Sequence, residues 1–144
     1  MPAQKPAALR HRLLIVDDEE SIRLLIARLL TSGMKAEVQL AGTCEQALRL
    51  AQNYAYDTIL LDLLMPGIGG YEVLKEIRRA SANTSTPVLI VSVLSDAQTR
   101  ERCLAAGANG YLVKPVERRA LLDAVKALLA ARGKAKHTPP QEDG

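Results

Sequence analysis

The chain of 144 residues contains no tryptophan and no phenylalanine, and four tyrosines supply all of its aromatic surface. So few rings leave no platform on which nucleic-acid bases could stack. Cysteine is almost as scarce: Cys44 and Cys103 lie far apart and form no C-x-x-C pair, which argues against a redox couple or a zinc site. Both are expected as buried, inert thiols of helices. The two histidines, His11 and His137, fall toward the ends of the chain, so a Ser-His-Asp or Cys-His nucleophile has no centrally placed base. No apolar run approaches the ~18 residues of a membrane span. Arg10 and Arg12 precede only Leu13-Leu14-Ile15-Val16 before four acids, too short a core for a signal peptide, so a cytoplasmic protein is expected. The net charge of +3 carries little weight, because residues 12–132 hold 15 Lys/Arg against 14 Asp/Glu. Neither a nucleic-acid face nor a membrane partner is expected. Carboxylates, hydroxyls and lysine are left to do the chemistry.

What is present is an ordinary globular composition, 48% hydrophobic and 24% charged, at a length that suits one domain. Residues 1–11 and the stretch 133–144 (GKAKHTPPQEDG) read as flexible tails, the second also as the start of a linker, around a domain at 12–132. Within it, strand-like and helix-like segments alternate five times. Strands are expected at Arg12–Val16, Ala36–Leu40, Asp57–Leu61, Pro87–Val91 and Gly110–Val113. Ile22, Leu25, Ile26, Leu29 and Leu30 form one helical face ending near Gly33. Further helices are expected over Thr43–Tyr54, with Thr43 as N-cap, around Val73, Leu74 and Ile77, and from about Asp96 to Ala106. A last one carries Leu121, Ala124, Val125, Leu128 and Leu129. Short continuous Val/Ile/Leu strands between amphipathic helices indicate a parallel sheet buried on both faces. The expected fold is therefore a doubly wound (βα)5 sandwich of flavodoxin-like type, with strand order 2-1-3-4-5 taken as the common five-stranded arrangement.

In such folds ligands bind beyond the carboxyl ends of the strands. The residues just after the strands are Asp17 and Asp18, Asp62, Ser92, and Lys114 with Pro115. Three carboxylates brought together repel unless a cation or protons neutralise them. Oxygen ligands without Cys or His favour a hard ion, and a small cluster with room for water suits Mg²⁺. Lys114 adds a point positive charge and Ser92 a hydrogen-bond donor. That is the equipment for phosphoryl transfer onto a carboxylate, which needs no general base once ionised.

The stretches LLIVDDEE (13–20), ILLDLLMPGIGGYE (59–72), PVLIVS (87–92) and GANGYLVKP (107–115) are similar to those of receiver domains of bacterial two-component response regulators, of the chemotaxis-regulator type. The resemblance covers roughly residues 12–132. Asp62 follows Asp18 by 44 residues, and Ser92 and Lys114 follow Asp62 by 30 and 52. It implies that Asp62 is the phosphoacceptor, that Asp17, Asp18, Asp62 and the backbone carbonyl of Leu64 hold Mg²⁺, and that Lys114 and Ser92 meet phosphoryl oxygens. It also implies a cis Lys114–Pro115 bond and a Tyr111 ring that moves inward when Ser92 engages. Leu64 and Leu94 occupy positions that tune dephosphorylation. As leucines they offer an attacking water no hydrogen bond, so slow autodephosphorylation is expected.

By the same resemblance the chain is a switch and not an enzyme beyond its own phosphorylation and dephosphorylation. Its donor is a sensor histidine kinase or a histidine phosphotransfer protein. Its output face is the fourth helix, fifth strand and fifth helix, near Arg100, Arg102, Arg118 and Arg119, and a homodimer through this face is compatible with the reading. Nothing in these residues supplies an output site, which favours a stand-alone regulator over the receiver part of a protein with a DNA-binding or enzymatic output domain.

Each residue also has a plainer explanation. Acids 17–20 suit a helix start, and Asp18 could simply cap it. Asp62 could form a turn, Ser92 could be a satisfied core hydroxyl, and Lys114 could be a snorkelling surface lysine. Gly67, Gly69 and Gly70 do not complete G-x-G-x-x-G, because Glu72 stands in the third position. A flavin carrier of the same fold would want hydroxyls and glycines after the first strand, where this chain has acids. A phosphorylation-independent scaffold that keeps the acidic pocket is the remaining rival.

Overall fold

Parallel strands need long crossovers, and the apolar β segments of this chain are each separated by a helix that supplies one. The computed structural model describes residues 10–137. Among them β1 (His11–Val16), α1 (Glu20–Gly33), β2 (Ala36–Ala41), α2 (Cys44–Asn53), β3 (Thr58–Leu61), α3 (Gly70–Arg79), β4 (Val88–Ser92), α4 (Ala97–Ala105), β5 (Gly110–Val113) and α5 (Arg118–His137) follow in order. The strands form one parallel sheet in the order β2-β1-β3-β4-β5, the expected doubly wound arrangement.

Successive strand residues point to opposite faces, and that alternation builds two cores. Leu13, Ile15, Leu60 and Leu89 meet Ile26 and Leu30 of α1 and Leu121 and Val125 of α5. On the other face Leu14, Val16, Ile59 and Ile90 meet Ala47 of α2, Leu74 and Ile77 of α3, and Cys103 of α4. β3 and β4 are buried along their whole length, so they carry no alternating polar pattern. Both cysteines are free and buried.

The elements differ from the sequence reading at their margins. Leu25, assigned to the inward face of α1, is 39% exposed, because Ile26 and Leu30 take the centre of that contact and leave Leu25 at its edge. Ser92 closes β4 instead of following it, and it is fully buried. His11, expected in a tail, begins β1, where its N–H donates to the Lys35 carbonyl at 3.1 Å. α5 runs on through Gly133 to His137, past the boundary expected at 132. A single glycine costs a helix about 1 kcal/mol relative to alanine, too little to end one where Arg132 and Lys134 stand on either side. Residues 1–9 and 138–144 of the two expected tails lie outside the described residues.

Candidate functional site

The ladder hydrogen bonds continue one residue past the strands and thereby aim the site. The Asp17 N–H donates to the Ala41 carbonyl (3.1 Å), Asp62 to Val16 (3.0 Å) and Lys114 to Ser92 (2.9 Å). Because Val16 pairs with Leu61 in register, Asp17 and Asp62 emerge side by side where the chain winds away in opposite directions.

One carboxylate oxygen from each of Asp17, Asp18 and Asp62 lies within 4.8 Å of the others. Asp17 is 1% exposed and Asp62 5%, whereas Asp18 reaches solvent. Lys114 Nζ, from the far side of the sheet, donates to Asp17 Oδ2 at 2.8 Å and to Asp62 Oδ2 at 3.4 Å. The Lys114–Pro115 peptide is cis. Asp17 is held firmly, since its Oδ1 also accepts the Glu19 N–H at 2.9 Å. Asp62 is held loosely: among the described residues its carboxylate accepts, besides the long lysine contact, only the Leu64 N–H, at 3.3 Å.

Burial therefore raises the pKa of Asp62. Lys114 opposes that shift and the neighbouring Asp17 adds to it. Burial alone would lower the Lys114 pKa, but the hydrogen bond and charge of Asp17 together with Asp62 outweigh it and raise the value, so the ammonium stays charged. Three carboxylates against the Lys114 ammonium, with the Arg23 guanidinium at the Asp17 carbonyl, leave the pocket short of positive charge. All-oxygen donors, two anchored in the sheet and one at the solvent edge, fit a hard divalent cation that keeps some of its water. Asp18 does not cap α1: the N-cap is Glu19, without a side-chain cap bond.

Ser92 and Tyr111 meet through a shared neighbour. Ser92 Oγ accepts the Leu94 N–H at 3.2 Å, and the Tyr111 hydroxyl donates to the Leu94 carbonyl at 2.7 Å. The Tyr111 side chain is 9% exposed and already inward. Its pKa is raised by burial and then by the neighbouring Cys103, with Ser92 opposing. Arg100 lies over its ring at 5.7 Å. Two of the other arginines expected near that face reach other helices, and the third pairs within α5. Arg102 packs on Tyr71 of α3 at 4.4 Å, Arg118 donates to Ser32 Oγ of α1 at 3.2 Å, and Arg119 faces Asp123 at 4.0 Å on the exposed side of α5. Side-chain length explains the first two, since each reaches a neighbour on an adjacent helix.

Leu64 is 52% exposed and Leu94 half-buried. Sequence reasoning noted Gly70 but gave it no structural role. A Cβ there would stand 2.0 Å from the Asp62 carbonyl oxygen and 2.7 Å from Leu63 Cα, so only glycine lets α3 begin directly against the Asp62 loop. Its N–H donates to the Leu63 carbonyl at 2.9 Å. The available signal was a glycine inside a helix start, where propensity alone disfavours it.

Residues 13–126 match the response regulator receiver domain family. The chain belongs to that family. This receiver domain is 36% identical over 118 residues to the transcriptional regulatory protein ResD of Bacillus subtilis, a match covering 82% of this chain and 48% of that protein. It spans about half the length of ResD and of other curated relatives it matches. A CheY-like receiver domain protein from Methanospirillum hungatei is 28% identical, with a TM-score of 0.80 over 88% of this chain and 98% of that one. The receiver domain of the sensor histidine kinase PA1611 from Pseudomonas aeruginosa, described with magnesium coordinated in its active site cleft, is 31% identical. Its TM-score is 0.76 over 84% of this chain and 98% of that one. No helix of the described residues is long and apolar enough to cross a membrane.

Proposed function

We propose that this receiver domain is a phosphorylation-dependent switch whose phosphoacceptor is Asp62. A histidine kinase or histidine phosphotransfer protein is the donor: the phosphorus–nitrogen bond of its phosphohistidine breaks as a phosphorus–oxygen bond forms to an Asp62 oxygen. Asp62 attacks as the carboxylate and needs no base. Asp17, Asp18, Asp62 and the Leu64 carbonyl would hold Mg²⁺, which would supply neutralising charge to the phosphoryl group. Lys114 neutralises a second share, and Ser92 donates its hydroxyl to a phosphoryl oxygen. The observation that carries this reading is the loosely held, buried Asp62 carboxylate between two further carboxylates and Lys114.

Ser92 can donate to the phosphoryl group while its Oγ still accepts the Leu94 N–H, so its movement carries Leu94, whose carbonyl Tyr111 holds, and the α4-β5-α5 face repacks. That face is offered to an output partner or to a second copy of the chain. The half-length coverage of its relatives supports a second version, in which the same switch acts on an output domain of a larger regulator.

The test is intact mass after incubation with acetyl phosphate, with and without Mg²⁺, on wild type and Asp62→Ala. One added phosphoryl group that requires both Mg²⁺ and Asp62 is expected. Absence of an adduct with acetyl phosphate and with a cognate kinase would favour the scaffold reading. Leu64 and Leu94 give a second expectation: the phosphorylated form decays slowly, and Leu64→Asn shortens its lifetime several-fold by offering water a hydrogen bond. A wild-type lifetime that Leu64→Asn leaves unchanged would remove the role given to that leucine.

A further inference from the structure

Arg23 sits where a cation should not be. Its N–H donates to the Glu19 carbonyl at 3.0 Å, which puts it in the first turn of α1, where the helix dipole disfavours positive charge. Its reward is tertiary. The guanidinium Nη1 donates to the main-chain carbonyl of Asp17 at 2.6 Å. On its other side it lies flat against Gly42, in the turn between β2 and α2, where a Cβ would stand 3.0 Å from Nη1. That turn is itself braced: the Gly42 N–H donates to Gln46 Oε1 at 2.9 Å, and Thr43 caps α2 by accepting the Gln46 N–H at 3.0 Å. A chain of contacts thus runs from the α2 cap through Gly42 and Arg23 to the backbone of Asp17. Asp17 then fixes the start of α1 by accepting the Glu19 N–H. Asp18, between these two anchored residues, makes no side-chain hydrogen bond of its own among the described residues.

We propose that Arg23 is a positioning residue for the divalent-cation site: it pins the Asp17 carbonyl so that the turn presents the Asp17 and Asp18 carboxylates together. This rests on the reading that Asp17, Asp18 and Asp62 hold Mg²⁺. Two effects of Arg23 have opposite signs, which makes the idea testable. As a nearby positive charge it repels a cation, so its loss would tighten binding. As the anchor of the turn it organises the ligands, so its loss weakens binding, and partners one step removed from a metal are typically worth 10- to 100-fold in affinity.

The experiment is calorimetric titration of the unphosphorylated full chain with Mg²⁺, on wild type, Arg23→Ala, Arg23→Gln and Arg23→Lys, with the melting temperature of each recorded. Arg23→Ala is expected to weaken Mg²⁺ about 10-fold. Arg23→Gln, neutral but still able to donate to a carbonyl, recovers part of that loss. With acetyl phosphate, Arg23→Ala raises the Mg²⁺ concentration for half-maximal phosphorylation while the rate at saturating Mg²⁺ stays near wild type. Tighter binding in both Arg23→Ala and Arg23→Gln would overturn the proposal in favour of simple charge repulsion. A lowered melting temperature with unchanged Mg²⁺ affinity would reduce Arg23 to a fold-stabilising residue. If wild type itself binds no Mg²⁺, the cation-site reading fails and the role of Arg23 falls with it, whereas wild-type binding that Arg23→Ala leaves unchanged overturns the role of Arg23 alone.

Discussion

The two ends of the sheet both bury polar side chains, and they use them in opposite ways. At the amino ends of β3, β4 and β5, Asn83 is 1% exposed and fully satisfied. Its Oδ1 accepts the Tyr56 N–H and the Thr86 hydroxyl, and its Nδ2 donates to the carbonyls of Ala51 and Tyr54, all within 2.7–2.9 Å. Arg78 extends the network from α3 to the carbonyls of Gly107 and Asn83 and to Asn109, which in turn accepts the Val88 N–H. At the carboxyl ends three carboxylates converge, one ammonium pairs with two of them, and the Asp62 carboxylate has contacts of 3.3 and 3.4 Å. One end satisfies its polar groups with hydrogen bonds, the Arg78 guanidinium included, and stabilises the fold. The other holds unneutralised charge, a cost carried for function.

The comparison predicts substitutions of opposite sign. The largest effect is expected at the amino end: Asn83→Ala removes four short hydrogen bonds and leaves the buried Tyr56 N–H unsatisfied, and should cost about 4 kcal/mol. Denaturant unfolding would measure it, and a loss near zero would mean that water replaces the side chain and the two ends are not so different. Next comes Gly70→Ala, expected to cost about 3 kcal/mol because the methyl group meets backbone and not a yielding side chain. A normal melting curve for this variant would show that the Asp62 loop can move aside.

The opposite sign belongs to Asp62→Asn, which removes a buried, repelled charge and should raise the melting temperature by roughly a few degrees at neutral pH without Mg²⁺. A raised native pKa means that the stability tied to Asp62 protonation is complete below the ordinary aspartate value of ~3.9 and is lost as pH rises through the native value. The advantage of Asn over Asp is therefore greatest near neutrality and shrinks as pH falls toward 4. A destabilised Asp62→Asn at neutral pH would break the comparison. The smallest effect is expected at Thr43, just past the carboxyl end of β2: Thr43→Ala removes the cap of α2 and should cost about 1 kcal/mol by thermal unfolding.

The acidic end was far more legible than the amino end. Asp17, Asp62 and Lys114 follow apolar strands directly, so strand recognition alone delivered them to one edge. Asn83 lies in SANTSTP, a stretch composed like any surface turn, and its burial depends on Ala51, Tyr54 and Tyr56, all at least 27 residues distant. Arg102 and Arg118 were assigned to one face by position along the chain, but a long side chain chooses among neighbours that only packing supplies. Gly70 and Arg23 each break a local preference of helices. Such violations are visible in a sequence, while their reasons, a carbonyl 2.0 Å from an added Cβ and a guanidinium 2.6 Å from Asp17, are contacts across the fold.

By itself the sequence determined the alternation of strands and helices, because apolar periodicity is local and each segment carries its own. It also determined which residues stand at the strand ends, and so which chemistry was available. Tertiary structure decided how firmly each is held: Asp17 tightly, Asp62 loosely, Ser92 and Tyr111 joined through the backbone of Leu94. The reason is that hydrogen-bond partners and desolvation come from segments brought together only when the sheet closes, and those two quantities set the charge state of a buried group.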